Sequence, residues 1–92
     1  MNNELNITQD CLFLSGEWAS EQVVRHWPAL STCKLKQLEL SQLKRIDSAG
    51  IAAIITALKP EPSNRLLVKH CPEQAKQLFK LYELEALLQY HD

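Results

Sequence analysis

Glycine is almost missing from this chain. Only Gly16 and Gly50 occur in 92 residues. That excludes a glycine-rich loop cradling phosphates, a dinucleotide fingerprint and a Gly-x-Ser-x-Gly nucleophile turn. A dominant charge is missing too. Ten basic residues face eleven acidic ones, for a net charge of −1 and a pI near 6.3. Lys34, Lys36 and the adjacent pair Lys44–Arg45 are set apart by apolar positions. Without a basic stripe there is no field to gather nucleic acid or an anionic membrane surface.

Long hydrophobic runs are absent as well. The longest, Ala49 to Leu58, has ten residues, against the roughly 20 that a membrane span needs. The opening MNNELNITQD has neither a basic segment nor an apolar one, so it does not read as a secretory signal. Cys11, Cys33 and Cys71 are odd in number and contain no C-x-x-C. They read as free, buried or half-buried thiols in a reducing cytoplasm. His26, His70 and His91 share no ligand spacing with them, so no metal site is expected.

What remains is an ordinary globular balance, 46% hydrophobic and 23% charged, and a length that fits one domain over residues 1–92. Leu5–Ile7 and Leu12–Leu14 read as two short strands joined by a tight turn at Gln9 and Asp10. Ser15-Gly16-Glu17 stops the second. Ser20 caps a helix that carries Val23, Val24 and Trp27 and ends near Pro28. A third strand centres on Gln37 to Ser41. Leu66-Leu67-Val68 reads as a strand covered on both faces. Pro60 to Asn64 forms a loop, and Cys71-Pro72-Glu73 opens a last helix with Ala75, Leu78, Phe79 and Tyr82 as its stripe. Leu87 to Tyr90 is a final short strand or a loose end. The order β-β-α-β-α-β-α predicts an α/β fold: a mixed sheet of four or five strands with an opening hairpin, packed against helices.

The most informative stretch is R-I-D-S-A-G at Arg45 to Gly50, directly before I-A-A-I-I-T-A-L. Asp47 or Ser48 caps a helix by accepting its free N–H groups, and Gly50 allows close packing or an unusual turn. That structural reading accounts for the motif by itself. The helix that follows suggests more. With Ile51 at the centre and about 100° per residue, Ile54, Ile55 and Leu58 fall within about 60°. Ala49, Ala53 and Thr56 fall opposite, with Ala52 at the border. Such a small, smooth face suits a docking partner, because little side-chain entropy is lost there. A phosphate on Ser48 would meet the helix dipole and add charge to that face. The expected contact set is Asp47, Ser48, Ala49, Ala52, Ala53 and Thr56. The first helix, near Trp18 and Trp27, is a second possible contact region, with core packing the plainer role for Trp27. No nucleophile–base pair or pocket announces an enzyme, and no apolar surplus announces a lipid cavity.

Three segments carry a family resemblance. L-S-G-E at Leu14 to Glu17, L-E-L-S-Q-L-K-R-I-D-S-A-G-I at Leu38 to Ile51, and A-K-Q-L-F-K-L-Y-E-L at Ala75 to Leu84 resemble the STAS family. This domain is shared by sulfate transporters and anti-sigma factor antagonists. The resemblance implies a STAS fold, no enzymatic activity, no cofactor and function through protein docking. The family's phosphoacceptor position maps to Ser48. The segments look most like the cytoplasmic STAS subunit of Mla-type ABC transporters, which move phospholipid between bacterial membranes. The implied partner is the transporter's ATPase, and the implied place is the cytoplasm, peripheral to the inner membrane. Ser48 stands where that branch often carries Thr, and Ala49 where Ser, Thr or Gly is common. The alternative branch is an anti-sigma factor antagonist, docked to and phosphorylated by a serine-kinase anti-sigma factor.

Overall fold

The computed structural model describes residues 4–91. Among the described residues, seven strands and three helices follow in the order β1 (Leu5–Ile7), β2 (Leu12–Leu14), β3 (Gly16–Trp18), α1 (Ser20–Ser31), β4 (Gln37–Glu39), β5 (Leu43–Ile46), α2 (Ser48–Leu58), β6 (Leu66–Lys69), α3 (Glu73–Leu81) and, after a 3-10 turn over Glu85–Leu87, β7 (Leu88–His91). The main sheet has the order β1-β2-β4-β6-β7. Its first pair is antiparallel and the rest are parallel. The fold is therefore α/β with a mixed sheet and an opening hairpin.

Each return from β2 to β4, β6 and β7 steps the same way across the sheet. Right-handed crossovers of that kind stack helices on one face. Burial follows this arrangement. Leu12, Leu14, Leu38, Leu66, Val68 and Leu88 belong to the core, while Phe13, Gln37 and Leu67, on alternate positions, are only half-buried. The sequence reading of Leu66 to Val68 as covered on both faces is thus corrected: one face is covered, and Leu67 looks outward. Cys11, Cys33 and Cys71 are all buried. Among the described residues, no helix is long and apolar enough to cross a membrane.

Two elements were not expected. The second strand ends at Leu14, before Ser15-Gly16-Glu17 as expected, but Gly16–Trp18 then forms β3, which pairs in parallel with β5 as a separate two-stranded sheet. Each of these strands leads straight into a helix, β3 into α1 and β5 into α2. The small sheet therefore sets where both helices begin. Helix α1 also runs through Pro28 to Ser31. The proline ring removes one i→i−4 bond, to the carbonyl of Val24. Val24 is exposed, so that carbonyl lies on the wetter side of the helix. The N-cap of α1 is Ala19, not Ser20. Its N–H is held by the Gln22 side chain at 3.0 Å.

The N-terminal strand is pinned by charge. Glu4 is buried, and its Oε1 accepts from Arg25 Nη1 at 2.8 Å and His26 Nε2 at 3.0 Å. Its backbone carbonyl accepts Trp18 Nε1 at 3.0 Å. The His26 hydrogen bond, opposed by burial and joined by the Arg25 guanidinium, holds the Glu4 carboxyl below its ordinary range.

Candidate functional site

The motif at Arg45 to Gly50 is the junction between β5 and α2. Asp47 is the N-cap of α2, and its Oδ1 accepts the N–H groups of Ala49 at 2.9 Å and Gly50 at 3.2 Å. Gly50 is required for contact. A Cβ there would lie 2.4 Å from the Trp18 carbonyl oxygen and 2.6 Å from Ile46 Cγ1. No side chain longer than hydrogen fits without moving backbone. Ser48 has neither task. It is exposed and makes no side-chain hydrogen bond among the described residues.

The expected outer face of α2 is corrected at one position. Ala53 is buried, with 5% exposure, and belongs to the core cluster with Ala57, Ile54 and Leu58. Ile55, expected in the core stripe, is only half-buried. The buried arc is rotated toward Ala53 and Ala57, and α1 packs against α2. The small residues let the two helices approach closely. Asp47, Ser48, Ala52 and Thr56 are exposed as expected, and Ala49 is half-buried.

The free side of α2 is one wall of a groove. Ser48, Ala52, Ile55 and Thr56 line it from α2, and Tyr82 and Leu84 from the chain leaving α3. The groove is open, predominantly apolar and about 410 Å³ in volume. The sequence argued against room for a pocket; the structure has one because α3 stops short. Glu83 takes a left-handed conformation, φ 59°. The Leu84 N–H then reaches back to the Phe79 carbonyl at 2.9 Å, and the Glu83 N–H to Lys80 at 3.0 Å. This closure normally uses glycine. It carries Leu84 into the groove and leaves Tyr82 44% exposed instead of in the core stripe. A glycine at position 83 would have signalled the turn in sequence.

The second expected contact region changes more. Trp18 is fully buried and unavailable to any partner. Trp27 is half-buried against the core.

The electrostatics of the Ser48 turn also differ from expectation. Two of the helix N–H groups imagined for a phosphate are already taken by Asp47. A phosphate on Ser48 would compete with that carboxylate and sit beside its charge. It would loosen the cap as well as charge the groove rim.

A carboxylate–imidazole pair lies apart from this groove. Glu39 Oε2 is 2.8 Å from His70 Nδ1 and 3.0 Å from the Ser41 N–H. Burial pushes the Glu39 carboxyl up, but these bonds together outweigh it and leave it below its ordinary value. Among the described residues, no three His, Cys, Asp or Glu side chains converge to hold a metal ion.

No protein-family model matches this chain, and no curated protein matches it.

Proposed function

We propose that this chain is a non-enzymatic docking domain of STAS type, the accessory subunit that binds the ATPase of a phospholipid-moving ABC transporter. It would be cytoplasmic and held at the inner membrane through that partner. The observation that carries the docking reading is the apolar groove between α2 and the end of α3, with Ser48, Ala52 and Thr56 exposed on its α2 wall. Binding an apolar ridge of a partner there would remove Ile55, Tyr82 and Leu84 from water at low entropic cost. The choice of partner rests on the family resemblance alone.

The test is titration of the purified chain against the candidate ATPase. Ala52→Arg places a charge on the groove wall without touching the core. Binding should fall by at least about a hundredfold, as for loss of an interface hot spot, at an unchanged melting temperature. Normal affinity would rule out the groove as the contact.

The exposed, unbonded hydroxyl of Ser48 favours a second reading, an antagonist switched by phosphorylation. A pull-down from the native host separates the two. An ATPase with unmodified bait supports the first. A serine kinase with bait heavier by one phosphate supports the second, and Ser48→Asp should then weaken docking where Ser48→Ala preserves it.

A further inference from the structure

Helix α2 ends at the opposite pole from Ser48, and that end is basic. A hollow of about 240 Å³ opens there, between the chain leaving α1 and the last turn of α2. Lys34, Lys36 and Lys59 line it, and none of its lining residues is acidic. None of the three lysines is in an ion pair among the described residues. Three lysines around one hollow, with no carboxylate partner among the described residues, are a local excess of positive charge in a chain of net charge −1. Sequence spacing hides it, since Lys36 and Lys59 are 23 positions apart.

The three lysines are held differently. Lys36 Nζ donates to the carbonyl of Leu58 and, at 3.4 Å, to that of Lys59. Its charge is fixed at the end of α2, where it offsets the helix dipole. Lys34 and Lys59 are exposed, with their donors free to reach a ligand. Lys59 is also the C-cap of α2, in a left-handed conformation of φ 48°. Glycine is the residue that ends a helix this way with least strain. A lysine there costs folding something and returns a third ammonium to the hollow.

We propose that this hollow is an anion site that takes a phosphate group, with Lys34 and Lys59 as donors and Lys36 as a fixed charge. Lysine recognises phosphate as a compact point charge, which suits a small polar hollow. A soluble phosphate ester and a phospholipid head group present the same chemistry to it.

The test has two arms. In the first, inorganic phosphate is titrated against the labelled chain at constant ionic strength, and backbone amide shifts are followed by NMR. Saturable shifts should centre on residues 33–36 and 57–59. Lys59→Gly should weaken them about tenfold, the loss of one charge-assisted contact, without lowering the melting temperature. Lys80→Gln, on α3, should leave them unchanged. In the second arm, phosphatidylcholine vesicles with and without phosphatidic acid are floated with the chain. Phosphate shifts without vesicle binding assign a soluble ester. Phosphatidic-acid-dependent flotation that Lys59→Gly abolishes assigns a head group. Absence of both, or an equal loss in Lys80→Gln, overturns the proposal.

Discussion

Gln74 holds both backbone polar groups of Ile46. The Ile46 N–H donates to Oε1 at 3.1 Å, and Nε2 donates to the Ile46 carbonyl at 2.8 Å. The next N–H, that of Asp47, turns the other way and bonds the Trp18 carbonyl at 3.2 Å. One side chain from α3 therefore acts as the missing neighbour strand of β5, at the residue before α2 begins.

Removing that amide should loosen the junction. Gln74→Ala should cost about 1–2 kcal/mol, since two bonds are lost at a partly wet site. Hydrogen exchange at the amides of Ile46, Asp47 and Ala49 should quicken more than in β6. Uniform change across the chain would mean that Gln74 has no local role.

The two structural letters of the motif should differ in cost. Gly50→Ala should destabilise by about 3 kcal/mol, because its Cβ meets the Trp18 carbonyl, which cannot rotate away. Asp47→Ala should cost about 1 kcal/mol, the usual loss for an N-cap. Ser48→Ala should cost close to nothing. Urea unfolding of the three variants checks the order, and an equal cost for all three would sink this account of the turn.

Acid should unfold the protein partly through Glu4 and Glu39. Both carboxyls lie below their ordinary value in the folded state. Their contribution is present above the unfolded value and is lost as the pH falls through the folded one. Glu4→Gln should destabilise by about 1–3 kcal/mol at neutral pH, and the gap from the parent should close as the pH falls below the ordinary carboxylate range. Unfolding midpoints measured across that range would show a constant gap if Glu4 played no part.

Tyr90 predicts the opposite limb. Burial, then the nearby Cys71, Glu85 and Glu73, push its hydroxyl up to about 12. That oxygen is buried and has no hydrogen-bond partner among the described residues. An acid with a raised value stabilises below its ordinary value of 10 and loses that contribution as the pH climbs toward 12. Tyr90→Phe should therefore be neutral or stabilising by about 1 kcal/mol at pH 7, with a flatter alkaline limb. The Lys76 ammonium, 5.3 Å from the ring centroid, keeps its aromatic partner. A clear loss of stability at pH 7 would show that the hydroxyl is bonded after all.

The elements legible in sequence are those with a full period of their own. The hairpin, α2 and α3 each repeat their apolar spacing at least once, and their bounds fall close to expectation. Strands β3 and β5 do not. Lys44 and Arg45 stand together between Leu43 and Ile46, and both are exposed, so β5 has no alternation to read. The pair is made by mutual hydrogen bonding and by the helices above it. Ala53 failed for another reason. Small residues let another surface come close, and that surface can be a neighbouring helix as readily as a partner. Tyr82 and Leu84 reached the groove through Glu83, whose left-handed turn no glycine announces.

The junction at Asp47 and Gly50 has a consequence for how such chains are classified. Both residues are committed to joining β5 to α2, whatever the protein binds. An aspartate followed three places later by glycine therefore reports here how β5 joins α2 and says nothing of activity. The discriminating letters are the ones the architecture leaves alone, position 48 and the outward positions 52 and 56, where related chains should diverge according to what they touch.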